Sequence, residues 1–135
     1  MKILIDTNVV LDAVMNREPW AKPAQEIFLA AAGKKFVGCV TASSFADIYY
    51  ILRKHLKNKN KTKQVLLGLI ELLTVLDVTG GDCAKAFDLP LPDYEDALLA
   101  YCGKRHKVDY IVTRDESHFA NSPVPAVTPA EFLAL

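Results

Sequence analysis

The sequence predicts an α/β domain of three layers, α/β/α, with a central, mainly parallel sheet. Three observations point there. Ile3-Leu4-Ile5 is a short, wholly apolar run of the kind found in strands buried on both faces. Similar runs recur at Phe36 to Val40, Thr74 to Val78 and Tyr110 to Thr113. Segments of helical period separate them, and strands alternating with helices imply parallel pairing through right-handed crossovers.

Asp6 closes the first strand, and a helix-like stretch runs from Val9 to Met15. Thr7 and Asn8, between the two, are placed to cap that helix or to hold Asp6 and a metal-bound water by hydrogen bonds. Lys22 to Ala32 has apolar residues at Ala24, Ile27, Phe28 and Ala31, a helical period, and Gly33 supplies its stop. After the second strand, Thr41 or Ser43 offers an N-cap for a helix with Phe45, Ile48, Tyr49 and Leu52 on one face. Phe45 and the Tyr49-Tyr50 pair are expected in the core.

A lysine-rich segment, Arg53 to Lys63, precedes the next helix, marked by Val65, Leu66, Leu69, Ile70 and Leu73, and the two helices are expected to pair. Beyond the third strand Gly80-Gly81 reads as a turn and Asp82 as the cap of a short helix ending near Leu89-Pro90. Asp93 is the N-cap of a helix with Glu95 and Asp96 in its first turn, a buried face of Ala97, Leu98, Tyr101 and Cys102, and an end near His106-Lys107. Thr128-Pro129-Ala130-Glu131 joins a capping box to a first-turn proline and starts a last helix, Pro129 to Ala134.

By length the 135 residues are expected to form one domain, 1–135, long enough to bury a core without staples. A metal, if bound, would therefore serve chemistry rather than hold the fold. Half the residues are hydrophobic and a quarter charged, which excludes a disordered chain. The net charge is zero, so a polyanionic partner must be held by a local patch. Cys39, Cys83 and Cys102 are odd in number and contain no CxxC pair, which supports neither a disulfide framework nor a thiolate zinc site. No stretch approaches the ~20 apolar residues that span a bilayer, and Met1-Lys2 leads directly into the first strand. The expectation is a cytoplasmic protein with no membrane partner.

Four carboxylates stand out. Asp6 and Asp115 follow strands that point the same way, Asp96 lies in the first turn of a helix, and Asp47 sits inside an amphipathic helix. Carboxyl ends of parallel strands lie at one sheet edge, where helices also begin, so these side chains can converge. Two such charges ~5 Å apart at an effective dielectric of ~20 repel by roughly 3 kcal/mol, which a bound cation would offset. Oxygen-only ligands favour magnesium or manganese over zinc. The plainer alternative is that Asp93, Glu95 and Asp96 stabilise a helix N-terminus and that Asp6 is a loop acceptor. Arg53, Lys54, Lys57, Lys59, Lys61 and Lys63 form the one dense basic run, either a solvated turn or a contact for nucleic-acid phosphates. His55, His106 and His118 share no spacing and read as surface residues.

Taken in order, Ile3-Leu4-Ile5-Asp6-Thr7-Asn8-Val9-Val10-Leu11-Asp12, Asp47-Ile48-Tyr49-Tyr50-Ile51-Leu52, Asp93-Tyr94-Glu95-Asp96-Ala97-Leu98, and Ile111-Val112-Thr113-Arg114-Asp115 with Phe119 resemble a PIN domain over essentially the whole chain. The closing Thr128-Pro129-Ala130-Glu131-Phe132-Leu133 adds to the likeness, which is greatest to small prokaryotic single-domain members, the VapC toxins among them. The resemblance implies a magnesium- or manganese-dependent endoribonuclease, with an RNA substrate, an antitoxin protein as possible partner, and a homodimer. It matches Asp6, Asp96 and Asp115 to the family's acidic positions and Asn8 and Thr113 to its polar accessories. Asp47 falls where many members carry glutamate, a side chain one methylene longer, and would be a ligand or orient the attacking water. Asp93 would assist from outside the ligand set. The alternative it leaves is a PIN-fold module that binds RNA or protein with little or no catalysis.

Two other folds put an acid after the first strand. A receiver domain wants an acidic pair there and a lysine after a late strand, where this chain has Arg114-Asp115. A haloacid-dehalogenase phosphatase needs aspartate at the position of Asn8.

Overall fold

One five-stranded sheet, with neighbours in the order β3-β2-β1-β4-β5, organises the protein. The strands are β1 (Lys2–Ile5), β2 (Val37–Thr41), β3 (Thr74–Leu76), β4 (Tyr110–Val112) and β5 (Ala126–Val127), and every pairing is parallel. The computed structural model describes all of residues 1–135. β1 lies at the centre, with Ile3 opposite Gly38 on one side and Tyr110 on the other. The chain winds outward from β1 to β2 and β3, then returns to the other side of β1 for β4 and β5. The winding direction therefore reverses between β1 and β4, and in open parallel sheets the crevice at such a reversal is where ligands bind.

The pleat of β1 sends alternate side chains into two cores. Ile3 and Ile5 face a layer that includes Val9 and Val10 of α1 (Thr7–Val14), Ile27 of α2 (Ala21–Ala32), Ile48 of α3 (Ala42–Leu56), Leu66 and Leu69 of α4 (Lys59–Leu72), and Phe132 of α7 (Pro129–Leu133). Leu4 faces the opposite layer, with Leu99 and Ala100 of α6 (Tyr94–Arg105) and with Cys39, Leu76, Val108 and Ile111. Ile3, Leu4 and Ile5 are fully buried, each worth about 1.5–3 kcal/mol relative to exposure. A polar residue at any of them would break the middle strand. Gly103 lets α6 lie close on β1: a Cβ there would stand 3.0 Å from Val108 Cγ2 and 3.3 Å from Leu4 Cδ2.

α3 and α4 pack together as expected, but several details differ from the sequence reading. Gly80-Gly81 is the first turn of α5 (Gly80–Lys85), not a loop. Thr79 is its cap, and Asp82 takes the third helical position of a capping box. Tertiary contact accounts for that place: Asp82 is buried and receives Arg105 Nε across 2.7 Å, an ion pair about 20 residues away in sequence that no local pattern reveals. α6 buries Ala97, Leu99, Ala100, Cys102 and Gly103, while Leu98 and Tyr101 are half-buried; it packs on more than one side and so lacks a single apolar stripe. Tyr50 and Ile70 are largely exposed rather than inward-facing. β3 ends at Leu76, short of Val78, and the two-residue β5 was not expected at all. No helix is long and apolar enough to cross a membrane.

Candidate active site

Asp6 continues the β1 ladder, its N–H donating to the Val112 carbonyl across 2.9 Å, and its φ/ψ of −68°/150° makes it the N-cap of α1. Capping thus falls to Asp6 rather than to Thr7 or Asn8. Asp6 Oδ1 accepts the Thr7 N–H at 2.8 Å, and Oδ2 accepts the Thr113 hydroxyl at 2.8 Å. Thr113, fully buried at the end of β4, in turn accepts the Asp115 N–H at 3.1 Å. The carboxyl ends of the two central strands are thereby tied at the reversal crevice. Asn8, on the first turn of α1, donates from Nδ2 to Asp115 Oδ2 at 3.3 Å.

Asp96 arrives from a third element. Asp93 caps α6, its Oδ1 accepting the Asp96 N–H at 3.0 Å, and this places Asp96 in the first turn at the same crevice. Asp6, Asn8, Glu95, Asp96, Asp115, Arg17 and His118 line one pocket. Asp47 lines the adjoining one with Asp6, Glu95, Tyr94 and the Thr41–Ser44 hydroxyls. Asp6, Thr7 and Glu95 line both and form their shared boundary. The structure therefore brings Asp6, Asp96, Asp115, Asn8 and Thr113 together and puts Asp47 on the far side of that boundary.

The electrostatics follow from this crowding. Burial raises Asp6 above the ordinary carboxylate range, with Asp115 and Glu95 adding to it, while the hydrogen bonds from Thr113 and Thr7 oppose the shift. Burial also pushes Asp96 up, helped by the charges of Asp6, Asp93 and Glu95 and opposed by His118, to about 6. Arg114, next to Asp115 in sequence, does not relieve the charge: its guanidinium lies 4.0 Å from the centre of the Trp20 ring and 3.4 Å from buried Asp12. Arg17 also pairs with Asp12, at 3.7 Å.

Sequence reasoning missed two members. Glu95, read only as a helix-dipole charge, bounds both pockets, and its place beside Asp96 in one first turn was the available signal. His118 is at the surface as the sequence suggests, but it also stands with Nδ1 3.7 Å from Asp96 Oδ2, a proximity created by the 3-10 turn Glu116–Phe119. His106 is likewise not free, since its Nε2 lies 3.1 Å from the Asp77 carbonyl and carboxylate.

Asn8 donates from Nδ2 to Asp115, while its Oδ1 is buried without any hydrogen-bond partner, so one side-chain oxygen of a residue lining the acidic pocket is left unpaired. No three acidic, histidine or cysteine side chains are grouped closely enough to ligate one ion directly. Such a spread of oxygen donors fits a small dication that takes one or two carboxylates and keeps several waters, and it does not fit zinc. The basic run lies beyond this pocket along α3: Ile51 lines the pocket, and Arg53 and Lys54 fall in the last turn of the same helix. None of the six cationic side chains from Arg53 to Lys63 forms an ion pair.

A sequence profile described as PIN domain matches residues 2–117. No curated protein matches the chain in sequence. Among solved structures, the fold is similar to VapBC from Salmonella typhimurium bound to DNA (TM-score 0.72, 20% identity, 96% of this chain and 98% of that one). It is similar to VapBC2 from Rickettsia felis bound to a promoter DNA fragment (TM-score 0.71, 17% identity, 95% and 98%). It is also similar to VapC20 from Mycobacterium tuberculosis, described as a sarcin-ricin loop cleaving toxin (TM-score 0.67, 12% identity, 87% and 93%).

Proposed function

Since this chain belongs to the PIN domain family, we propose that it is a divalent-metal-dependent endoribonuclease, the toxin of a toxin–antitoxin pair. The observation that carries the reading is the pocket at the sheet reversal that Asp6, Asp96 and Asp115 line together with Asn8, whose side-chain oxygen is buried and unpaired. Asp6, Asp96 and Asp115 would hold magnesium or manganese, directly or through water, with Asn8 beside them. When bound, the ion supplies polarisation of the phosphoryl oxygen, a more acidic water and neutralisation of transition-state charge.

The chain's own residues do the positioning. Thr113 holds the Asp6 carboxylate in one orientation and the Asp115 backbone at the same time, and Asn8 holds the Asp115 side chain. Asp93 orders the first turn that carries Asp96. Hydrolysis adds a water oxygen to phosphorus, breaks the bond to the leaving sugar oxygen and transfers a proton to it. Asp47, in the adjoining pocket, is either a further ligand or the group that orients the water. Arg53 to Lys63, free of carboxylate partners, would bind phosphates along the strand.

A protein partner fits a different surface. Phe28, Leu29, Leu69 and Leu72 line an apolar groove of about 500 Å³ between α2 and α4, and similar chains occur in VapBC assemblies. We assign that groove to an antitoxin. Exposed Tyr50, Ile51, Leu67 and Ile70 on α3 and α4 favour a homodimer, which light scattering across a dilution series would detect.

Cleavage of a single-stranded or looped RNA with magnesium or manganese tests the activity. Asp96→Asn and Asp115→Asn should each lose at least ~100-fold, since metal-mediated charge stabilisation is worth several kcal/mol. Cleavage retained by both variants would overturn the reading.

A further inference from the structure

Two aromatic rings stand on the surface beside the acidic pocket. Phe87, in the 3-10 turn Ala86–Asp88, leaves 76% of its surface exposed. Its ring lies on that of Tyr94, with centroids 4.5 Å apart and planes tilted by 33°. Tyr94 is the first residue of α6, and its hydroxyl donates to the Cys83 carbonyl across 2.7 Å, which fixes the ring. Tyr94 also lines the pocket of Asp6, Asp47 and Glu95. Tyr94 is thus part of the pocket lining, and the exposed Phe87 ring lies against it. Neither ring belongs to either core; they meet where the 3-10 turn packs on α6.

We propose that Phe87 and Tyr94 form a stacking platform for one unpaired nucleobase of the RNA, next to the phosphodiester held in the acidic pocket. The proposal rests on the nuclease reading above and adds a feature that selects single-stranded substrate. The surrounding charge decides which part of a nucleotide can sit there. Asp88, Asp93 and Glu95 flank the two rings in sequence, with one cation, Lys85, before them, and all four are exposed, so the surroundings are acidic on balance and favour a neutral, planar base over a phosphate. The outer face of Phe87 is open, and an aromatic ring under an unpaired base contributes about 1–3 kcal/mol whatever the base. A base inside a duplex presents no such face, so paired RNA gains nothing from the platform.

The test uses the full chain with calcium in place of magnesium or manganese, so that the acidic pocket keeps a dication, and a short single-stranded oligoribonucleotide carrying one 2-aminopurine, whose intactness is checked on a gel. The wild type should quench the probe, since stacking quenches it. Phe87→Leu keeps apolar bulk but removes the ring, and should raise Kd roughly 5- to 150-fold and abolish the quench. Phe87→Trp should restore both, and binding of duplex RNA should be the same in all three. An unchanged Kd and quench in Phe87→Leu would overturn the platform. So would a Phe87→Leu variant that loses self-association in light scattering while binding RNA as before, because the rings would then be an interface between copies. Quenching that depends on Phe87 in a wild type that cleaves no RNA with magnesium or manganese would sink the nuclease reading and leave the platform standing.

Discussion

The Thr113 hydroxyl donates to Asp6 Oδ2 across 2.8 Å, joining the carboxyl ends of β4 and β1 through one side-chain bond. Thr113→Val keeps the shape and removes the donor. The loss of a positioning contact of this kind typically costs 10- to 100-fold in metal affinity or activity, and leaving the Asp115 N–H without its acceptor should cost about 1 kcal/mol of stability. Isothermal titration with manganese and urea unfolding would read the two effects separately.

The acidic pocket should destabilise the protein when no cation is present. Asp96→Asn removes a charge that burial and the Asp6 carboxylate oppose, and should stabilise the metal-free protein at neutral pH by roughly 1–2 kcal/mol. Magnesium or manganese should raise the wild-type Tm by mass action and the variant's Tm by less. Scanning calorimetry with and without chelator decides it, and a variant less stable than wild type in chelator would count against repulsion in the pocket.

Asp47 lies across the Asp6–Glu95 boundary from Asp96 and Asp115. Asp47→Glu adds one methylene of reach and should preserve or raise the cleavage rate, whereas Asp47→Ala should lower it. Single-turnover rates on one RNA compare the three proteins.

Lys57, Lys59 and Lys61 have no carboxylate partners in this fold. Replacing all three by glutamine should weaken RNA binding across sequences and flatten its salt dependence by up to about three contacts' worth of slope, with metal affinity nearly unchanged. An unaltered slope would return the segment to a solvated turn.

Asp82 provides a pH test away from the site. The Arg105 hydrogen bonds hold its carboxyl down at about 2, against an ordinary 3.8. The folded state therefore favours the charged form, and the pair's contribution is complete above about pH 4 and lost as pH falls towards 2. Asp82→Asn should cost about 2 kcal/mol at pH 7, and the gap from wild type should close below pH 3 in urea unfolding.

Much of this protein was legible in its residue order. Ile3-Leu4-Ile5 pointed to a central buried strand, because a run this short and mostly β-branched, followed at once by a helix start, suits a strand covered on both faces. Asp6, Asp96 and Asp115 followed as one edge, because parallel strands share a direction and helices start where strands end. The Thr128–Glu131 box determined a helix start through contacts only three residues apart. Tertiary structure decided the rest. Asp82 is held by Arg105, β5 exists only as a partner for β4, and His118 reaches Asp96 only because a 3-10 turn folds it back. Nor could spacing show that Asp47 would fall on the other side of Asp6 and Glu95 from its fellow carboxylates, or that Phe87 would lie on Tyr94. Local periodicity and capping act within a turn or two of the chain, whereas these relations depend on where separate crossovers set down their side chains.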